Sequence, residues 1–424
     1  MKCYLGIDLG TSGCRGIAID EQAQVIAEHA VPLPPPVSPQ PGQSQQDPMV
    51  WWHAVVEVLR LLNRDCSHYR LEAIAVDGTS STLLLCDNQG KPLTAGLMYN
   101  DSRSREALQQ LESIAPTGSP VLGATSSLAK LIHLLQVVPA KSFYAMHQAD
   151  WIMGMLSHRF PFSDENNCLK LGYDPIKRQW PEWMQSLGLP AGCLPKVYPS
   201  GTPIGTLCES VANETGLPAS TSVVTGTTDS NAAFLATGAN EIGDAVTSLG
   251  STLVLKILSD KPLFASEYGI YSHRVGDLWL VGGASNSGGA VCRHFFSDTQ
   301  MLEMTASLDP NHSTGLNYYP LLRPGERFPV NDSEFLPRLT PRPADDARFF
   351  QGILEGLTRI EQEGYALLYR LGAPKPKRIL SIGGGAINEP WRKMRESAIG
   401  IPVTRADQQA AAYGASLLAR RGKE

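Results

Sequence analysis

No two of the eight cysteines stand as a CxxC pair, and they are scattered from Cys3 to Cys292, so neither a zinc site nor a disulfide framework has a spacing to rest on. Cys3, Cys14 and Cys86 lie in strand-like stretches, where buried reduced thiols are expected. The nine histidines also fall at no metal-ligand spacing, and His53 is assigned to packing beside Trp51 and Trp52. Charge of one sign is missing too. Lys and Arg number 36 against 41 Asp and Glu, a net of −5, which offers no basic surface for nucleic acid. Every long uncharged stretch is broken by Gly, Ser or Asn, so no membrane span is expected. The first nine residues lead into a strand pattern without the basic start and apolar run of a secretory signal, and no transit segment is visible. A cytoplasmic protein is the expectation. Neither GxxxxGK[ST] nor GxGxxG occurs, which removes the common P-loop and dinucleotide fingerprints.

What is present is enough chain for two domains. The 424 residues are 42% hydrophobic and 18% charged, a composition that buries large cores. Tyr4–Leu9 and Arg15–Asp20 read as a hairpin around Gly10-Thr11-Ser12-Gly13, whose two glycines are expected to supply positive φ at the bend. The Pro-rich stretch 32–41 reads as a surface loop. Asp47-Pro48 opens a helix carrying Trp51, Val55, Val58, Leu59 and Leu62 on a 3.6-residue period. Ala73–Val76 reads as a buried strand, Asp77-Gly78-Thr79-Ser80 as a polar turn, and 82–86 as the next strand.

The pattern sharpens after residue 221. A strand over 222–225, then Gly226-Thr227-Thr228-Asp229, leads into an Ala-rich helix. Strands over 245–249 and 252–257 flank Gly250-Ser251. That repeats the logic of residues 4–20 and suggests two related halves, with a boundary between about 230 and 245. A long connection spans 310–345, a helix follows with its apolar face from Phe350 to Leu371, and a strand over 378–382 ends in Gly383-Gly384-Gly385. Alternating strands and helices indicate an α/β class.

Four places could carry chemistry. Asp8 precedes a tight turn whose amides, with the hydroxyls of Thr11 and Ser12, suit phosphate oxygens, and Asp8 could hold Mg²⁺ through water. An ordinary hairpin turn explains the same residues. Asp229 could accept the proton of an attacking hydroxyl, although an Asp before an Ala-rich helix is ordinarily an N-cap. Gly250-Ser251-Thr252 could grip phosphates, or be a second plain turn. Gly384 and Gly385, followed by Asn388 and Trp391, would let backbone approach a ligand at a helix start, or simply make a tight connection.

In this order the segments GIDLGTSGCRGIAID, QQDPMVWWHAV, MYNDSRS, GTTDSNAAF, TSLGSTLVL, GGASNSGGA, YYPLLRPGERFP and SIGGGAINEPW resemble those of the FGGY carbohydrate kinase family, within the actin-like ATPase superfamily. The resemblance runs from about Leu5 to Ala419. It implies two related actin-like (ribonuclease H-like) lobes with an ATP cleft between them. Residues 1–236 would carry the sugar site and first phosphate hairpin. Residues 237–424 would carry the second hairpin and adenosine site, with the last helix, about 410–424, packing back on the first lobe.

The resemblance further implies ATP and Mg²⁺ as cofactors. Asp8 would organise metal and reacting phosphate, and Asp229 would be the general base. Thr11, Ser12, Gly13, Gly250, Ser251 and Thr252 would contact phosphates, and Gly384, Gly385, Asn388 and Trp391 would hold the nucleoside. At the sugar the chain departs from the family. Where xylulose and glycerol kinases usually carry Gln after the third strand, it reads Asp77-Gly78-Thr79-Ser80. IAVDGTSSTLLLCD and SSLAKL resemble the short cyanobacterial and plant xylulokinase-like subgroup with D-ribulose kinase activity. That implies sugar contacts from Ser80, with Asp101 and Arg103 as additional contacts or as a solvated charged loop. D-ribulose is therefore the expected substrate and D-xylulose the alternative. An actin-like ATPase switch without a sugar acceptor is the reading from a different class.

Overall fold

The computed structural model describes residues 1–138 and 142–423. Two compact units form: residues 1–236 with the C-terminal segment from residue 410, and residues 237–409.

The first unit is built on a six-stranded sheet, ordered 203–206, 222–228, 70–78, 2–9, 13–20, 25–32. Three strands (222–228, 70–78 and 2–9) are parallel, and the rest of the sheet turns back antiparallel. Arg70–Gly78 is buried along nearly its whole length, as a parallel strand covered on both faces must be. The helix Pro48–Asp65 starts as its sequence indicates: the Asp47 carboxylate accepts the Met49 amide and Pro48 sits in the first turn. Its stripe of Trp51, Val55, Val58, Leu59 and Leu62 is wholly buried, each side chain contributing roughly 1.5–3 kcal/mol of burial. A smaller sheet orders 45–46, 96–97, 83–86 and 144–147 beside this core.

The second unit repeats the plan. Its sheet orders 271–275, 278–284, 253–259, 244–249, 378–382, 403–405. Strand 244–249 pairs antiparallel with 253–259 and parallel with 378–382, as 2–9 pairs with 13–20 and 70–78. The 25-residue helix Asp346–Arg370, N-capped by Asp345, lays Phe350, Ile353, Leu354, Leu357 and Ile360 into the core. The fold is thus α/β with two sheet-based domains that share five strands in one order, the sixth strand adding at opposite edges: 203–206 in the first and 271–275 in the second. Among the described residues no helix is long and apolar enough to cross a membrane.

Four expectations are corrected. Asp77 and Gly78 belong to the strand Arg70–Gly78, not to a polar turn, and Asp77 is fully buried. Likewise the strand starting at Ser222 does not end at Thr225 but runs to Thr228, so Gly226 and the two threonines after it belong to the sheet. Neither Gly10 nor Gly13 has positive φ. The bend closes by a hydrogen bond from the Gly10 amide to the Gly13 carbonyl, 3.0 Å, and a β-carbon on Gly13 would press within 3.3 Å of the Val31 carbonyl. Finally, His53 is exposed, not packed with the tryptophans, because it falls on the solvent side of the stripe.

Candidate active site

Three acids line up at the carboxyl ends of the parallel strands of the first unit. Asp8 and Asp77 are opposite each other in register on strands 2–9 and 70–78, so their side chains leave the sheet on one face. Strand 222–228 continues the row: Thr227 pairs with Asp77, Thr228 with Gly78, and Asp229 follows. Burial, and then the charge of Asp229, push the Asp8 carboxyl up to about 6. Asp77 is held well above the usual carboxylate range by burial and by the charges of Asp8 and Asp229. Neither Asp77 oxygen meets a hydrogen-bond donor among the described residues. Its contact with Asp8 is carboxyl against carboxylate, a hydrogen bond only while a proton lies between them. Carboxyl ends of parallel strands are where open α/β sheets bind ligands.

Asp229 is aimed by the backbone before it. Pairing between strands 222–228 and 70–78 slips between Val224 and Thr227. A β-carbon at Gly226 would lie 1.7 Å from the Val76 carbonyl oxygen, so only glycine permits this bulge. Behind the row, the helix Ala411–Arg421 packs so closely that a β-carbon on Gly6 would fall 1.9 Å from the Ala412 carbonyl, and one on Gly414 1.8 Å from that of Ala232. The Ala-rich composition of the helix Asp229–Ala236 is therefore a packing requirement. Asp229 is its first residue, half-buried, and its carboxylate accepts the Ser230 amide at 2.6 Å. That local amide contact and a charge that reaches Asp8 coexist.

The turn after Asp77 is pinned from several sides. Gln148 Oε1 accepts the Thr79 amide at 3.1 Å and its hydroxyl at 2.9 Å, and the hydroxyls of Thr79 and Thr82 lie 2.5 Å apart. Ser80 is half-buried. Asp101 is no solvated residue: it is fully buried, accepting the Ser44 amide at 2.6 Å and Arg103 Nε at 2.9 Å. Arg103 also donates to Gln45 Oε1 at 2.8 Å. With its oxygens so engaged, Asp101 orients Arg103 and the 42–45 loop. Of the first phosphate hairpin, Ser12 is exposed and Thr11 and Gly13 half-buried.

The second unit contains a cavity of about 470 Å³. Gly250, Gly384, Gly385, Asn388 and Trp391 all line it, whereas Ser251 and Thr252 do not. Gly385 is glycine because a β-carbon would strike Trp391 at 2.7 Å, whereas at Gly384 a β-carbon would meet only Arg293, at 3.8 Å. Asn388 accepts the Trp391 amide at 3.0 Å and donates to Thr305 at 3.1 Å. The opposite wall, from the short helices Gly289–Phe295 and Asp298–Thr305, was not anticipated residue by residue. Leu302 and Ile387, 71% and 66% exposed, stand among its lining residues. Two large apolar side chains left in water beside glycine backbone suit a flat ring.

Another buried carboxylate explains the long connection. Glu326, 2% exposed, accepts Ser285 Oγ at 2.6 Å, the Tyr319 hydroxyl at 2.9 Å and the Asn286 amide at 2.7 Å. From there Gly289 donates to the Gly250 carbonyl at 2.8 Å and Ala290 to that of Ser251 at 3.1 Å. The stretch Gly325-Glu326-Arg327 thereby steadies the second hairpin turn.

Residues 3–236 match the FGGY family of carbohydrate kinases, N-terminal domain, and residues 245–422 match its C-terminal domain. The chain belongs to this family. It is a carbohydrate kinase, a phosphotransferase of a family that uses ATP, and the switch without an acceptor is set aside. Among FGGY kinases it is 27% identical to the xylulose kinase of Escherichia coli strain K12, over 92% of this chain and 84% of that protein. It is 31% identical to the apulose kinase of Pectobacterium atrosepticum, over 60% of this chain and 54% of that one. A xyloylose kinase from Brucella ovis superposes with a TM-score of 0.89 at 23% identity, covering 99% of this chain and 90% of the other. Plasmodium falciparum glycerol kinase with ADP gives 0.86 at 16%, covering 99% and 89%. At these identities the superpositions speak for the FGGY fold alone.

Proposed function

We propose that the chain phosphorylates the terminal hydroxyl of a ketopentose, D-ribulose, to give D-ribulose 5-phosphate and ADP. The observation that carries this reading is the row Asp8, Asp77, Asp229 at the strand ends. Asp229 accepts the proton of the sugar hydroxyl as its oxygen bonds to the γ-phosphorus and ADP leaves, assistance worth on the order of 10² to 10⁴ in rate. The remainder of the acceleration comes from positioning and charge stabilisation. Thr11, Ser12 and Gly13 hold phosphate oxygens from one hairpin, and Gly250, Ser251 and Thr252 from the other. Gly384, Gly385, Asn388 and Trp391 take the nucleoside.

Mg²⁺ fits the donor set. Asp8 offers hard oxygen, and its mutual repulsion with Asp229 favours a cation nearby. Among the described residues no three His, Cys, Asp or Glu side chains form a ready-made cage, consistent with an ion that prefers few carboxylates, phosphate and water. When bound, the ion would neutralise charge on the polyphosphate.

The choice of D-ribulose rests on the resemblance of residues 74–87 and 126–131 to the short subgroup. D-xylulose is favoured instead by the likeness to the xylulose kinases of Staphylococcus xylosus, Escherichia coli and Bacillus subtilis. A coupled ADP-release screen over ribulose, xylulose, ribitol, arabitol and glycerol separates them. Ribulose should show the highest kcat/KM. A preference for xylulose replaces the substrate, and ATP turnover that no sugar accelerates overturns the proposal.

A further inference from the structure

Lys130 is a fully buried cation outside every segment assigned above to catalysis or nucleotide. It sits on the helix Ser127–Val137, whose N-cap Ser126 accepts the Ala129 amide at 3.2 Å. Its Nζ donates to two backbone carbonyls from different parts of the chain, Ser81 at 2.8 Å and Met98 at 2.7 Å. The first carbonyl belongs to the turn that carries Ser80. The second opens the loop that carries Asp101 and Arg103. Ser81 has φ of 66°, a left-handed conformation that a non-glycine residue adopts at a cost, and its own hydroxyl has no hydrogen-bond partner among the described residues. Gln148 and Thr82 hold the Thr79 side of the turn, and the Lys130 ammonium holds its Ser81 side.

We propose that Lys130 is the positioning residue of the acceptor-sugar surface, tying the Ser80 turn to the Asp101–Arg103 loop. This rests on the sugar-kinase reading above, in which those residues meet the substrate. A buried ammonium is costly unless fully used, and donating to two carbonyls is what makes Lys130 tolerable there. Burial pulls its pKa down to about 7, opposed by Asp101 and assisted by Lys170 and Arg103. The lysine is too deep to be a phosphate ligand, so its effect on turnover passes through the two segments it joins.

Lys130→Met keeps the length of the side chain and removes its donors. It should raise the KM for ketopentose at least tenfold, leave the KM for ATP within twofold, and change kcat by less than fivefold. In hydrogen–deuterium exchange, amides 79–82 and 98–103 should lose protection while the strand Lys2–Leu9 keeps it. Ser81→Gly is the contrast that folds readily, since glycine accepts positive φ. With the lysine in place it should leave the sugar KM within threefold. The proposal is overturned by unchanged sugar KM and unchanged exchange in Lys130→Met, or by a Ser81→Gly variant that loses sugar affinity tenfold. Should the unaltered chain phosphorylate no ketose or polyol, the functional reading fails by itself, and the exchange measurement still decides whether Lys130 ties the two segments.

Discussion

The two units place different chemistry on one frame. In the first, Asp8-Leu9-Gly10-Thr11-Ser12 turns between paired strands, and Asp8 stands in register with Asp77. In the second, Ser248-Leu249-Gly250-Ser251-Thr252 makes the corresponding turn, and Ser248 stands in register with Ile382. Acid has become hydroxyl and hydrocarbon. The buried charges differ in the same sense. The first unit crowds Asp8, Asp77 and Asp229 together: the charge of Asp229 raises the proton affinity of Asp8, and the charges of Asp8 and Asp229 raise that of Asp77. The second pairs Glu361 with Arg395, both 1% exposed, at 2.6 Å. Glu361 also accepts Thr247 Oγ1 at 2.6 Å, and Arg395 donates to Ser381 at 2.8 Å. Acids in one unit stand against one another, and in the other the buried charge is paired with its opposite.

The sharpest way to break the comparison is Asp229→Ala. Sugar phosphorylation should fall by about 10² to 10⁴ with nucleotide affinity retained, measured by coupled assay and by calorimetric titration. Turnover within a few-fold of the unaltered enzyme would remove Asp229 from its role. In the second unit the corresponding blow is structural. Arg395→Met strands Glu361 without its partner and should cost about 3–5 kcal/mol of stability in denaturant unfolding. Replacing both members by apolar residues should recover most of it.

Asp8→Asn should act in the opposite direction. The folded pKa of Asp8, about 6, exceeds the ordinary 3.8, so the folded state holds its proton longer than the unfolded chain does. Stability therefore falls as pH rises from about 4 through about 6, and above that the charged form carries the whole penalty. In metal-free buffer at pH 7 to 8 the Asn variant should be more stable by up to about 2 kcal/mol, with little activity. Below pH 4 the difference should vanish. Equal melting temperatures at all pH values would show that the acid row is not strained. The smallest effect expected is for Ser80→Ala: a sugar KM raised several-fold, roughly 1 kcal/mol, with the KM for ATP unchanged. A change confined to ATP would move Ser80 out of the sugar surface.

Much of this was legible in the chain because it is local. Asp47-Pro48 announces a helix start, and the stripe from Phe350 to Ile360 a buried helix face, since capping and a 3.6-residue period depend only on near neighbours. The order of hairpin, acidic helix start, second hairpin and triple glycine was readable for the same reason. Asp77 was misplaced because a carboxylate argues against a buried strand, and here a charged neighbour in register is the very feature of the site. Lys130 and Glu326 lay inside the quoted segments SSLAKL and YYPLLRPGERFP, but nothing local showed what their buried charges would hold. The glycines of the first turn were noticed for positive φ, which neither has: Gly13 is only tightly placed against the Val31 carbonyl, whereas close backbone does require Gly226.

The sequence by itself determined the elements around the motifs and the order of those motifs, because propensity, caps and hydrophobic period act over a few residues. Only the tertiary structure decided which acids stand side by side, which cation joins two distant turns, and which helices close the wall around the glycines. Those outcomes depend on strand register and on close backbone contact between segments as far apart as Gly6 and Ala412. No window of sequence contains both ends of such a contact.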